Sequence, residues 1–352
     1  MMNRFMGRAG AVKRPTIGDI AARAGVTKGA VSYALNGRPG VSASTRSRIL
    51  EIAAELGWQP SSAARALNDG RADVLGLVVD RPARTLGLEP FFMRLISGIE
   101  STLSAEGIGL LLHMTESQAT EIEIYRRWWA QRRVDGVIVV DLRVADPRIA
   151  VLEELGLPAV VVGGPAGTGT LPAIWIDEAA AVRSVVEYLA ALGHRRLARV
   201  AGVPDLAHTR IRTESLQKIA AELRLPEPVT IDTDYSGEQG AAATRRLLSG
   251  RPAPTAIIYD NDVMAVAGQA VAQEMNVAVP ERLSLVAWDD SSLCRLVHPQ
   301  LSAVSRDIAA HGAHVARCLL KVVAGRPVTG FQDTPPMLVP RGSTSPVRRE
   351  TA

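Results

Sequence analysis

The chain has 352 residues, of which 47% are hydrophobic, 22% charged and 4% aromatic. That is enough apolar mass for two or three domain cores, and it excludes a disordered chain, a collagen-like chain and a small disulfide scaffold. The formal net charge of +4 is unevenly placed: residues 1–73 hold 11 Lys and Arg against 5 Asp and Glu, and the remainder hold 29 against 31. A basic head therefore precedes a slightly acidic body, which points to a nucleic-acid module joined to something else. Cys294 and Cys318 stand far apart and in no CxxC pair, so neither a cysteine zinc site nor a disulfide framework is expected, and no cofactor or metal is called for. No apolar run reaches 18 residues, and Met1 to Arg14 carries Arg4, Arg8, Lys13 and Arg14 without an apolar stretch. Neither a bilayer span nor a secretory leader is expected, which places the protein in the cytoplasm.

In chain order, a basic tail (residues 1–15) leads into the first helical pattern. Thr16 followed by Asp19 is a capping-box-like start. Ile17, Ile20, Ala21 and Ala24 then repeat with the spacing of one helix face, and Gly25 breaks the helix. Thr27 is a good N-cap for a second helix, Lys28 to Asn36, with Ala30, Val31, Ala34 and Leu35 inside and Lys28, Gly29, Ser32 and Tyr33 outside. A third helix near Ser44 buries Ile49, Ile52, Ala53 and Leu56 and ends at Gly57. Three short helices with a glycine turn between the first two make a helix-turn-helix unit over residues 16–59.

The run from Thr16 through Ala21-Ala22-Arg23-Ala24-Gly25-Val26-Thr27 to Val31-Ser32-Tyr33-Ala34-Leu35-Asn36, continued by Val41-Ser42, Thr45-Arg46, Leu56-Gly57-Trp58-Gln59-Pro60 and Ala64-Arg65-Ala66-Leu67, resembles the LacI/GalR family of transcription factors. The resemblance implies that the outer side of the second helix enters the major groove. Lys28, Gly29 and Tyr33 would then face base edges, with Thr27 and Ser32 near phosphates; Thr16 and Asn36 belong to the same candidate surface. A lysine can donate to guanine acceptors, and a tyrosine offers a hydroxyl and an apolar edge. Gly29 departs from a side-chain reader. Arg46 and Arg48 read as phosphate contacts, which position without specifying, or as a solvated face.

Residues 60–73 are rich in small residues and helix-permissive. A helix of two turns is too short to stand alone, so the segment reads as a flexible linker or, as the resemblance implies, as a hinge helix that orders on DNA. In that hinge, Ala64 and Leu67 are candidate DNA contacts, and Leu67 acts as an apolar wedge in the minor groove.

From Val74 to residue 342 the pattern alternates. Apolar runs at Val74–Val79, Gly109–Leu112, Gly136–Val140, Ala159–Val162, Leu197–Val200, Ala256–Tyr259 and Leu283–Ala287 read as buried parallel strands. Helical stretches separate them: Phe92–Glu106, Ala119–Arg132, Glu178–Leu192, Thr213–Leu223, Gly237–Leu248, Asp262–Glu274 and Asp307–Val323. The strands outnumber one comfortable sheet, which predicts two α/β lobes with a ligand cleft between them. Residues 343–352 read as a tail. The fold class expected is an all-α helix-turn-helix DNA-binding head plus an α/β two-lobed effector domain, which the family resemblance implies is periplasmic-binding-protein-like.

The resemblance extends through this body at Leu75-Gly76-Leu77-Val78-Val79, Glu89-Pro90-Phe91-Phe92, Leu192-Gly193-His194-Arg195-Arg196, Arg212 with Ser215, Asp260-Asn261-Asp262 and Trp288-Asp289-Asp290. By matched position it implies effector contacts from Phe91, Phe92, Met93, Asp141, Arg212, Tyr235, Asn261 and Asp289, all at or just beyond strand ends. Asp and Asn share hydroxyl protons, Arg donates to paired oxygens, and an aromatic face covers a sugar ring. Core packing for the phenylalanines, an Arg212–Asp289 ion pair and helix capping by Asp260 to Asp262 are the competing readings. Ile308 stands where some sugar-binding members carry an aromatic, so the stacking platform is either absent or supplied by Trp288, and the alternative is that Arg306 meets an anionic group.

The glycine-rich Gly163 to Thr170 lacks the lysine of a phosphate loop and reads as a crossover between lobes. His311 and His314 are three apart with no third ligand at metal spacing, and read as surface or interface residues. Trp128 and Trp129 read as packing residues. No nucleophile elbow occurs. The expectation is a non-enzymatic, homodimeric regulator, most simply a repressor, that binds a pseudo-palindromic double-stranded operator under control of a small molecule such as a sugar. A solute-binding protein or an α/β enzyme using the same cleft is the alternative.

Overall fold

The computed structural model describes residues 15–58, 70–82, 87 and 89–347. The chain divides into two compact units, residues 1–70 and 71–352. The expected hinge residues Ala64 and Leu67 lie outside the described residues, as do most of the N-terminal tail and residues 348–352.

The described residues of the first unit hold three helices: α1 (Ile17–Ala24), α2 (Lys28–Leu35) and α3 (Ala43–Glu55). Each begins at a hydroxyl cap, Thr16, Thr27 and Ser42, whose side chain accepts from the backbone three residues on. Thr16 and Asp19 form the full capping box, with Asp19 taking the Thr16 backbone N–H at 2.7 Å. Gly25 ends α1 with φ +64°, a left-handed turn that a side chain would strain. Ile20, Ala24, Val31, Ala34, Ile49 and Ile52 close a small core.

The second unit holds two six-stranded sheets. The first lobe orders β11-β5-β4-β3-β1-β2, with β1 (Val74–Asp80), β2 (Gly109–Thr115), β3 (Gly136–Val139), β4 (Ala159–Val162), β5 (Ala173–Trp175) and β11 (Phe331–Gln332), all parallel. The second orders β12-β10-β9-β8-β6-β7, with β6 (Leu197–Ala201), β7 (Val229–Asp232), β8 (Ala256–Tyr259), β9 (Ser284–Trp288), β10 (Ser302–Ser305) and β12 (Met337–Val339). In that sheet only β12 runs antiparallel, against β10. The helices are α4 (Pro90–Ala105), α5 (Gln118–Ala130), α6 (Pro147–Leu155), α7 (Glu178–Ala191), α8 (Ala207–Glu222), α9 (Gly237–Ser249), α10 (Asp262–Glu274), α11 (Ser292–Leu296) and α12 (Ile308–Val323). Strands β3 and β4, and β1 up to its last residue Asp80, are apolar and are covered on both faces, by Phe92, Leu95 and Leu319 on one side and Tyr125, Trp128 and Leu152 on the other.

The chain passes between lobes three times: from β5 to α7, from β10 to α12, and from β11 to β12. The glycine-rich Gly163 to Thr170 is not one of these crossings. It joins β4 to β5 within one sheet, because Pro172 and Ile174 return to pair beside β4. The segment expected as a tail is partly built in: Ser343 is fully buried, its hydroxyl donates to the Leu285 carbonyl at 2.6 Å, and Val347 N–H reaches the Leu192 carbonyl. Trp128 packs in the core as expected, whereas Trp129 is half exposed. Both cysteines are free and buried, and among the described residues no helix is long and apolar enough to cross a membrane.

Candidate functional site

The head presents its candidate DNA residues outward. Thr16, Thr27, Lys28, Gly29, Tyr33 and Asn36 are exposed; Ser32 and Arg46 are half-buried. The two threonines also cap helices, Thr27 accepting from Ala30 N–H at 3.2 Å. A Cβ added to Gly18 would meet Lys28 Cε at 3.3 Å, so the lysine stem lies along the start of α1. Arg46 donates to the Arg38 carbonyl at 2.6 Å and Arg48 to the Ala24 carbonyl, which fixes both guanidiniums against neighbouring loops.

In the second unit a cavity of about 290 Å³ opens between the lobes at the C-terminal ends of the strands. Phe91, Phe92, Asp141, Arg212, Tyr235 and Asp289, six of the eight expected contacts, line it. Met93 and Asn261 do not. Met93 is half exposed on α4. Asn261 is the N-cap of α10: its Oδ1 accepts from Met264 N–H at 2.8 Å and its Nδ2 donates to the Tyr235 carbonyl at 3.0 Å. Four of the non-glycine lining residues hold left-handed backbone, Asp141 (φ +51°), Ala145 (φ +52°), Tyr235 (φ +70°) and Asp289 (φ +62°). Such strain in non-glycine residues persists only where the surroundings enforce it, and it gathers at ligand sites.

The walls are ion-paired. Arg212 lies in the second turn of α8, which starts at Ala207 rather than the expected Thr213, and clamps Glu178 of α7 at 2.6 and 3.0 Å. Its guanidinium also covers the Trp288 ring at 4.3 Å, so Trp288 is a buried base under the arginine rather than a platform in the cavity. Asp260 is held by Arg199 at 2.6 and 2.8 Å. Burial alone would discharge these groups; instead Glu178 and Asp260 titrate below, and Arg212 above, their ordinary ranges because each faces its opposite charge. Asp289 meets Arg306 at 3.3 Å rather than Arg212. Arg306 is thereby committed, and it also lies 5.1 Å from the centre of the Phe91 ring.

Several lining residues had no assignment from sequence. Arg81, just after β1, pairs with Asp141 at 2.9 Å and reaches across to the Tyr235 ring at 5.0 Å. His208 bonds the Tyr235 hydroxyl at 2.7 Å, and burial pushes its imidazole down to about 4, so it is neutral. Glu89, before α4, is buried, and desolvation drives its carboxyl up to about 7. Arg143 pairs with Asp80 at 2.9 Å and Arg210 with Glu214 at 3.6 Å. Gly202 makes room for Tyr235, because a Cβ there would overlap the ring at 1.8 Å. His311 is buried, unlike the expected surface residue; it and His314 share Asp333 Oδ2 at 2.8 Å each. No group that could hold a metal is found among the described residues.

The lobes also touch directly beside the cavity. Ala207 N–H reaches the Leu142 carbonyl at 2.8 Å and Val144 N–H the Asp205 carbonyl at 3.0 Å. The cleft is closed at that edge.

A helix-turn-helix head joined to a two-lobed binding fold with a polar cleft defines a ligand-responsive DNA-binding protein. Residues 16–61 match the model of bacterial regulatory proteins of the lacI family, and residues 186–344 a periplasmic binding protein-like domain. The chain is 32% identical over 317 residues to the HTH-type transcriptional regulator CelR of Thermobifida fusca, across 89% of this chain and 93% of that one. It matches a solved CelR–cellobiose complex at TM-score 0.72 and 29% identity, covering 94% of this chain and 100% of the other. It matches the lac repressor dimer bound to operator and the anti-inducer ONPF at TM-score 0.83 and 26% identity, covering 95% and 100%. The chain belongs to the LacI family and is a DNA-binding transcriptional regulator, not an enzyme.

Proposed function

We propose that the protein is a cytoplasmic homodimeric repressor that holds a pseudo-palindromic operator through two heads and answers to a carbohydrate bound between its lobes. The observation that carries this reading is the cavity: paired carboxylates and guanidiniums beside the aromatic faces of Phe91 and Tyr235, the chemistry that takes a polyhydroxylated ring. The operator-bound dimer of the lac repressor and the cellobiose complex of CelR support it. In this account Lys28, Tyr33 and their neighbours read the groove, and Arg46 and Arg48 positioned against their loops meet phosphates. Ala64 and Leu67 belong to the hinge, and Leu67 kinks the duplex as a wedge. A ligand that favours one lobe arrangement shifts the population of paired hinges, by no more than its difference in affinity for the two states.

The test is selection of inverted-repeat duplexes by the full chain, followed by binding titrations in rising salt with and without cellobiose or maltose. Specific, steeply salt-dependent retention that a saccharide changes is the expected outcome. Absence of any inverted-repeat preference overturns the reading. Leu67→Ala is expected to keep the fold and lose about tenfold or more in operator affinity; unchanged affinity removes the wedge.

A further inference from the structure

Every arginine that lines the cavity already has a carboxylate within 4.0 Å. Among the lining carboxylates, Glu89 alone has no ion pair among the described residues. Its Oε2 is buried without a hydrogen-bond partner, and the residue is only 7% exposed. It precedes Pro90 at the head of α4, yet its side chain makes no cap to the helix, and no hydrogen bond or ion pair holds it among the described residues. Beside it Arg81 carries the complementary vacancy: its Nε is a buried donor with no acceptor. The two are close enough for the Arg81 charge to act on the Glu89 carboxyl. An orphan acceptor and an orphan donor on one wall are matched by a group that both donates and accepts, which is a hydroxyl pair.

We propose that Glu89 sets the specificity of the effector site: with Arg81 it takes an uncharged vicinal diol of the sugar and rejects phosphorylated or carboxylated forms of the same sugar. This rests on the carbohydrate reading above. An anionic group placed at Arg81 meets Glu89 itself, together with Asp141 on the same wall and Asp289 and Asp262 from the other lobe, all of which act on Glu89. Burying an anion among these carboxylates without a free cation is costly, because each lining guanidinium is already neutralised. Burial holds the Glu89 carboxyl at about 7, so rejection strengthens as it ionises.

The experiment is calorimetric titration of the full chain, wild type and Glu89→Gln, with cellobiose, maltose and glucose, each beside an anionic counterpart: cellobionate, maltobionate, and both glucuronate and glucose 6-phosphate. In the wild type a neutral sugar binds and its anionic counterpart binds at least about tenfold more weakly. Glu89→Gln keeps the size and one acceptor, and narrows that gap by about tenfold through gained affinity for the anion. Equal or tighter binding of the anion by the wild type, or an unchanged gap in the variant, overturns the proposal while leaving the carbohydrate reading intact. Silence toward every saccharide overturns the carbohydrate reading, and this proposal with it. Should the variant fail to fold, the wild-type gap between glucose and glucuronate at about pH 6.5 and 8.5, above the Asp262 carboxyl at about 6, decides: a gap that does not widen at the higher pH sinks the proposal.

Discussion

The two recognition surfaces are built on opposite principles. In the head, the side chains of Lys28 and Tyr33 stand in solvent without a hydrogen bond among the described residues, and the helices beneath them hold a core of eight buried residues. In the cavity the buried charges are mostly already paired, Arg212 with Glu178, Asp260 with Arg199 and Arg81 with Asp141, and Glu89 is the exception. A surface that meets a polyanion gains from unpaired cations, since counterion release provides the affinity. A site that must choose one small molecule gains from walls fixed before the ligand arrives. Substitutions should therefore separate the two regions: wall changes cost stability first, and head changes cost DNA affinity first.

The largest effect is expected at Arg212. Arg212→Met leaves Glu178 buried without its paired cation and uncovers Trp288, and should lower unfolding free energy by about 3–5 kcal/mol. Glu178→Gln added to it should restore most of that, because the charge left alone is what destabilises. Urea unfolding of both variants checks this, and a loss under about 1 kcal/mol for the single change would contradict the paired-wall description.

Glu89 gives the next effect, and it depends on pH. Its carboxyl rises from 4.5 in the unfolded chain to about 7 in the fold. The folded state thus holds a proton that the unfolded state has released, and stability falls as pH rises through that window. The wild type should lose up to about 3 kcal/mol relative to Glu89→Gln between these limits. His208 works in the other direction, because its folded value near 4 lies below its ordinary one. The difference between the two unfolding curves isolates Glu89, and parallel curves would show that it is not buried as a lone carboxyl.

The same positions explain what was legible in the sequence. Each head helix carries its own start, spacing and stop within about 16 residues, so α1 to α3 were readable, and so were the largely apolar strands β1, β3, β4 and β8. Strands β5, β11 and β12 span three, two and three residues and have no period to read. The cavity's pairs join residues 34 and 61 positions apart, Glu178 with Arg212 and Arg199 with Asp260, which only the fold brings together. A subtler confusion arises where a strand hands over to a helix, since capping residues and ligand residues occupy the same place. Asn261 looked like a ligand residue and is a cap. Glu89 and Leu206 head helices without any side-chain cap, and there the walls contribute Glu89 and, two residues past Leu206, His208. An uncapped helix start at the C-terminal end of a strand is the signal that could have found them.

The smallest effect returns to the head. Thr16 satisfies the capping box while standing exposed, so Thr16→Ala should cost about 1 kcal/mol. The loss should appear as faster amide hydrogen exchange in α1 of the full chain, while protection in β1 and β3 stays unchanged. Lys28→Ala, in the same exposed setting but outside any cap, should leave exchange unaltered and weaken operator binding by about 1–3 kcal/mol. Thr16 is a candidate for DNA contact as well as a cap, and Thr16→Ser separates the two: a serine caps as well, so recovery of exchange without recovery of operator affinity would place the threonine methyl against the duplex.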